Sequence, residues 1–269
     1  MRLPEARVVL TGASGGIGQA IATALCASGA QVLAVARHRE PLLPLLQRFP
    51  QNLSWVSADL TVPADRRKVL DAADVMGGVN LLINAAGVNH FAMLEQLDDS
   101  DIHAMLAVNV EAPICLTRLF LPLLKQARSA MVVNVGSTYG SIGYPGYASY
   151  CATKFALRGF SEALRRELAD TRVGVLYVAP RATLTSMNSP AAQALNDALK
   201  ASVDDPQTVA SAVIHAIAGD RRDLYLGWPE RFFVRLNSLL PNLVDRGLRK
   251  QLPLIRRLSE KPDSENLEP

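Results

Sequence analysis

Short apolar runs punctuate the first 226 residues at 7–10, 31–36, 53–57, 80–83, 130–135, 173–178 and around 224–226. Runs of this length with little polar alternation predict strands covered on both faces. Between them, apolar positions recur with helical spacing and predict helices over 19–28, from Pro63 to about 75, 100–125 and 148–168. Pro63 suits a first helical turn, and Pro122 is expected to kink the third helix. Strands and helices alternating over short connections predict an α/β fold, a doubly wound and mostly parallel sheet with helices on both faces. In such sheets ligands lie beyond the strand carboxyl ends, at the point where strand order reverses.

The pattern changes after residue 227. Phe232, Phe233, Leu236, Leu239 and Leu240 repeat at helical spacing, and Leu243, Val244, Leu248 and Leu252 continue the stripe beyond Pro241. This predicts two or more amphipathic helices around Pro241 and Pro253. Between 228 and 257 the basic residues Arg231, Arg235, Arg246, Arg249, Lys250, Arg256 and Arg257 face only Glu230 and Asp245. So long an apolar stripe must be covered. The expectation is burial against the preceding domain or a second subunit, with Trp228 as an anchor; an anionic membrane surface is the alternative. The expected organisation is a domain over 1–227, a helical extension over 228–258 and a polar, disordered tail over 259–269.

Composition narrows the function. Of 269 residues, 49% are hydrophobic and 20% charged, and a formal charge of +3 is too small to argue for nucleic acid. No apolar run approaches the roughly 18 residues of a membrane span, and the N-terminus leads into a strand instead of a signal peptide, so a cytoplasmic protein is expected. Cys26, Cys115 and Cys151 lack metal-ligand spacing and read as buried thiols. No metal is expected.

The candidate chemistry gathers at strand ends. Residues 11–18 read Thr-Gly-Ala-Ser-Gly-Gly-Ile-Gly between the first strand and first helix. Gly12 permits the tight turn, Gly16 lets a pyrophosphate approach the backbone and Gly18 allows close packing, with Ser14 and Ile17 in the same turn; the helix N-terminus favours the anion. Arg37 follows the second strand, and no acid occurs before Glu40. With help from Arg39 and Ser14, Arg37 predicts a 2′-phosphate, hence NADP in preference to NAD. Asp59 and Leu60 fall at the adenine end of the same crevice. Asn84, Ala85 and Gly87 close the fourth strand where a cofactor presses on backbone, and Pro180 ends the sixth. Asn109 is a polar residue inside an apolar helical stretch. Ser137 ends the fifth strand. Tyr150 and Lys154 stand one helical turn apart, and a nearby ammonium is expected to pull the phenol toward operating pH.

Together these residues resemble the short-chain dehydrogenase/reductase family over roughly residues 6–226. The resemblance rests on Thr-Gly-x-x-x-Gly-x-Gly at 11–18, Asn-Ala-Ala-Gly at 84–87 and Tyr-x-x-x-Lys at 150–154. It implies a Rossmann-type sheet and a homodimer or homotetramer. It makes Asn109 the residue that holds a proton-relay water, Ser137 the one that binds the carbonyl oxygen and Tyr150 the acid/base. Lys154 becomes the partner that also holds the nicotinamide ribose, and Thr185 bonds the carboxamide. The implied activity is NADP(H)-dependent interconversion of a ketone or aldehyde and an alcohol, on a small and sometimes lipophilic substrate. A non-catalytic cofactor-binding regulator is the alternative from another class, and a β-ketoacyl carrier-protein reductase the narrower enzyme reading. One departure is Arg181, where the family usually has glycine. It is expected to face solvent, or else to meet an anionic substrate group. His90, Tyr144, Thr183 and Met187 are candidates for the pocket wall.

Overall fold

The computed structural model describes residues 1–259. Seven strands form one sheet: β1 Arg7–Thr11, β2 Gln31–Ala36, β3 Leu53–Ser57, β4 Leu81–Asn84, β5 Ala130–Val135, β6 Val173–Ala179 and β7 Asp223–Tyr225. The helices are α1 Gly16–Ala27, α2 Leu43–Arg48, α3 Pro63–Val75, α4 Asp99–Leu106, α5 Ala112–Gln126, α6 Ala148–Glu167, α7 Pro190–Ala198, α8 Pro206–Ala218, α9 Glu230–Leu239 and α10 Pro241–Ser259. Every strand pairing is parallel, in the order β3-β2-β1-β4-β5-β6-β7. The chain builds outward from β1 and then returns to lay β4 on its other edge, which makes the β1/β4 crevice the switch point.

The period-two alternation of strands decides which side chains serve which layer. Val8, Leu10, Leu81, Ile83, Met131, Val133, Leu176 and Val178 pack with α1 and α8 on one face. Val9, Leu82, Val132 and Val175 meet α3, α5 and α6 on the other. Both layers are apolar because both faces are covered, as the uninterrupted strand runs predict.

Two local expectations are corrected. The long helix is irregular at Ala107–Glu111, a π turn between α4 and α5, while Pro122 sits inside α5. Pro113 follows it in the first turn of α5, and without an N–H it cannot donate to the carbonyl four residues back, that of Asn109. The combined helix Asp99–Gln126 is long and apolar enough by composition to cross a membrane, contrary to the expectation from apolar runs. Leu116, Phe120 and Leu124 are instead buried against the sheet, as in a core helix.

The extension is helical. α10 runs without interruption through Pro253. Its inner side packs on the main domain: Ile255 is fully buried with Phe91, Met105, Tyr147, Ala192 and Leu195. Gln251 accepts a hydrogen bond from the Tyr144 hydroxyl at 2.6 Å, and Asn237 of α9 donates to the Ser141 carbonyl at 3.0 Å. Trp228 does not anchor it, being 75% exposed. The tail expected to be disordered lies outside the described residues, apart from Ser259, which is buried at the end of α10.

Candidate active site

Three of the predicted residues meet at the carboxyl end of β5. Ser137 caps a short 3-10 turn at Thr138–Gly140, and its hydroxyl accepts from the Tyr139 amide at 3.1 Å. The same hydroxyl lies near enough to the Tyr150 phenol of α6 to favour its ionised form. Tyr177 of β6 holds this bend from below, its hydroxyl donating to the Ser137 carbonyl at 3.2 Å. Lys154, one turn after Tyr150, is buried; its ammonium lies 5.5 Å from the Tyr150 ring centre and donates to the Val135 carbonyl at 3.2 Å.

The electrostatics differ from the sequence expectation. Burial pushes the Tyr150 phenol well up, and the Ser137 hydroxyl only partly offsets it. Burial also lowers the Lys154 ammonium to about 8. Both groups have left water, which disfavours each charged form. Tyr150 is therefore a protonated donor in this state.

Asn109 lies in the π turn with its side chain engaged. Its amide oxygen accepts from the Val88 amide at 2.8 Å, while its nitrogen donates to the Val88 carbonyl at 2.9 Å and to Thr153 at 3.0 Å. It fastens the loop after β4 to α6. Both amide donors are used and one lone pair of the oxygen is taken, and the backbone carbonyl, which Pro113 leaves without a donor four residues on, is a further acceptor for a water.

The glycine loop faces this group across the switch point. Gly12 has φ +66° and passes so close to β4 that an added Cβ would lie 2.7 Å from the Ala85 backbone. Side chains other than glycine are excluded there by both conformation and space. The N-cap of α1 is Gly15, which has no side chain to cap it, so the first-turn amides remain available to an anion. Thr185 lies over this turn, its methyl 2.9 Å from where a Gly16 Cβ would stand. On the opposite side a Cβ on Gly87 would lie 3.6 Å from the Lys154 nitrogen and 3.8 Å from Met187. Ser14, Ile17 and Gly18 share the turn, and Gln19 ties Ser14 to the Pro41 carbonyl.

Arg37 is exposed at the end of β2. Asp59 is held below the usual carboxylate range by the Thr61 hydroxyl and amide, with a smaller contribution from the Arg37 charge. Arg39 is placed otherwise, over the Trp55 ring at 5.8 Å. Leu60 is fixed through its carbonyl, which accepts from the buried Arg66 at 2.6 Å. Asn84 turns its side chain into the sheet, donating to Thr117 and to Asn134, which in turn donates to Ser161. At the cleft, residues 84–86 therefore present backbone. The Ala85 and Ala86 amides donate to the Thr11 hydroxyl, at 3.0 and 3.1 Å.

A model of the short-chain dehydrogenase family matches residues 6–196. The chain belongs to that family. Among relatives, it is 31% identical over 223 residues to the 3-oxoacyl-[acyl-carrier-protein] reductase FabG of Vibrio cholerae, covering 79% of this chain and 90% of that one. A Burkholderia cenocepacia short-chain dehydrogenase solved with NADP is 27% identical and superposes with a TM-score of 0.79, over 92% of this chain and 99% of that one. A Burkholderia phymatum relative solved with NAD has a TM-score of 0.81 at 22% identity, over 97% and 99% of the two chains, and shows the shared fold.

In this short-chain dehydrogenase the departure at Arg181 is joined to the C-terminal extension. Arg181 is part-buried, and its guanidinium is engaged by acids instead of facing open solvent. It pairs with Asp204 at 2.7 Å and with Glu230 of α9 at 3.3 Å. The Asp204 contact closes the base of the segment 182–203, together with the bridge between Thr183 and Asp204. That segment carries Thr185, while the Glu230 contact ties it to the extension. Pro180, just before, accepts from the Thr138 amide.

The wall candidates divide. Tyr144 stacks on Tyr139, with ring centres 5.1 Å apart, and Met187 reaches the Gly87 side. Thr183 is buried with its hydroxyl on the Arg181 carbonyl. His90 is half exposed and pairs with Asp101 at 2.9 Å. Phe91, in the loop expected to line a pocket, stacks at 5.0 Å on Tyr147, which was not anticipated and stands edge-on to Tyr150 at 6.2 Å. Cys151 is buried beside them as packing.

Proposed function

We propose that the protein is an NADP(H)-dependent oxidoreductase that interconverts a ketone or aldehyde with its alcohol, with Tyr150 as the acid/base. The observation that carries this reading is the gathering of Ser137, Tyr150 and buried Lys154 at the end of β5, facing the glycine turn across the β1/β4 crevice. The uncapped α1 N-terminus, with Gly12, Gly16 and Gly18, suits a pyrophosphate, and Lys154 suits a ribose hydroxyl near Gly87. Thr185 stands where it can meet the nicotinamide end. A bound nicotinamide supplies the hydride exchanged with the carbonyl carbon.

The chain's own part is to hold the carbonyl oxygen and deliver a proton to it. Ser137 donates to the oxygen as negative charge develops there, and Tyr150 gives up its phenolic proton. The raised pKa of Tyr150 suits this direction because the proton is present at neutral pH. Lys154 stabilises the phenolate that remains, and a water on the Asn109 carbonyl is suited to return the proton from solvent. The aromatic surroundings of Tyr150 favour a substrate with an apolar body.

Arg37 supports NADP(H). It is an exposed guanidinium at the β2 end, with no acid preceding Glu40 to accept from a free 2′-hydroxyl. The test is NADPH and NADH oxidation against a panel of ketones and aldehydes, with aliphatic and aromatic members. Turnover faster with NADPH supports the reading; no turnover of either cofactor across the panel contradicts it.

A further inference from the structure

The extension has two sides, and only one is used by the fold. On α9 the buried Val234 and the bonded Asn237 mark the inner side. At 100° per residue, Phe232, Arg235 and Leu239 point the opposite way. On α10 the inner side is set by Gln251 and Ile255, and Leu243, Arg246, Lys250 and Arg257 line up on the outer one. The exposures agree with this geometry: Phe232 is 49% exposed, Leu239 79%, Leu240 54% and Leu243 54%. Trp228 continues the surface, its ring centre 6.2 Å from that of Phe232.

Charge identifies what such a face can meet. Residues 228–258 hold seven basic and two acidic side chains, a local net charge of +5 in a chain whose total is +3. Glu230 is committed to Arg181, and Asp245 lies two residues from Leu243, on the far side of α10 from the outer stripe. The outer faces of the two helices therefore combine exposed aromatic and aliphatic groups with arginine and lysine that pair with no acid among the described residues. Two copies docked through this face would set like charges against each other. An anionic, deformable surface answers both features, since headgroups pair with the cations while the side chains enter the acyl boundary.

We propose that α9 and the first half of α10 form a docking surface for an anionic lipid bilayer, with Trp228, Phe232, Leu239, Leu240 and Leu243 entering the interface and Arg235, Arg246 and Lys250 on the headgroups. The inner side of α10 remains on the main domain, so docking needs no unfolding of the extension. It brings the bilayer next to the wall of the cleft formed by Tyr144 and Gln251.

The test uses the full-length protein with vesicles of phosphatidylcholine alone or mixed with phosphatidylglycerol, at low and high salt. The protein should co-sediment with the mixed vesicles, be released by salt and bind the neutral ones much more weakly. A charge-reversed variant, Arg235→Glu with Lys250→Glu, and an apolar-to-polar one, Phe232→Ser with Leu239→Ser, should each lose about tenfold or more in vesicle affinity. Their unchanged melting temperatures would show that the fold is intact. Trp228 emission in the wild type should also shift to the blue on adding mixed vesicles, and a Trp228→Phe control should lose that shift; this readout requires no folded surface variant. Absent co-sedimentation, unchanged binding by the variants or an unshifted Trp228 would overturn the proposal. So would a dimer in solution that the same variants dissociate in the absence of vesicle binding, because the face would then belong to a second copy.

Discussion

Replacing Lys154 by methionine should stabilise the protein while abolishing its proposed activity. Lys154 is 4% exposed and has no carboxylate partner among the described residues; its assigned bond is to the Val135 carbonyl. Burial takes its pKa from 10.5 to about 8. At about 1.4 kcal/mol per unit, holding this charge in the fold costs roughly 3 kcal/mol. Methionine fills similar space without a charge, and losing the bond to Val135 gives back about 1 kcal/mol. A net gain of about 2 kcal/mol corresponds to roughly 5 °C in melting temperature for a chain of this size. The sign also depends on pH. Below about 8 the lysine is charged in both states and the wild type carries the full cost. Between about 8 and 10.5 the unfolded chain keeps a proton that the fold has released, so wild-type stability rises with pH and the advantage of the variant shrinks. Thermal melts of both proteins without cofactor, at about pH 6.5 and about pH 10, measure this directly. A variant no more stable at the lower pH, or equally advantaged at both, would refute the reasoning.

Three further substitutions probe other parts of the account. Arg37→Asp should weaken NADP(H) binding by about tenfold or more with little effect on NAD(H), since repulsion replaces a charge-assisted contact; titration of both cofactors checks it. Arg181→Ala leaves Asp204 and Glu230 without their shared cation and should cost about 1 to 2 kcal/mol after allowance for their partial exposure, with a raised cofactor KM as the segment carrying Thr185 loosens. Ile255→Ala should cost about 2 to 4 kcal/mol in a denaturant melt, because this tail residue is buried as fully as any in the core.

The sheet was legible because strands covered on both faces need apolar residues at every position, and this compresses into short dense runs such as 31–36 and 130–135. The same density hid α8: Val209, Ala210, Val213, Ala216 and Ile217 do carry helical spacing, but they follow a stretch of loop and short helix with no strand to frame them, and the pattern predicts no helix or strand between Thr185 and Leu224. Tyr150, Lys154 and Ser137 were legible because spacing along one helix and position after one strand suffice to bring them together. Partners set by tertiary contact were not. Arg181 read as solvent-facing because Asp204 and Glu230 lie 23 and 49 residues away along the chain. The buried ladder from Asn84 through Asn134 to Ser161 gives no local signal, since each residue alone passes for a strand or helix polar. Pro122 drew attention as a helix breaker, while Pro113 accounts for the release of the Asn109 carbonyl; only the position of that asparagine one turn earlier shows why.

The central claim is that Tyr150 delivers the proton to a substrate carbonyl. Tyr150→Phe removes one hydroxyl from a ring packed beside Tyr147 and leaves the glycine turn and Lys154 in place. Measured as carbonyl-dependent NADPH oxidation on the best substrate from the panel, the variant should lose about a hundredfold or more in kcat while binding NADPH as the wild type does. Near-normal turnover by the variant would contradict the account.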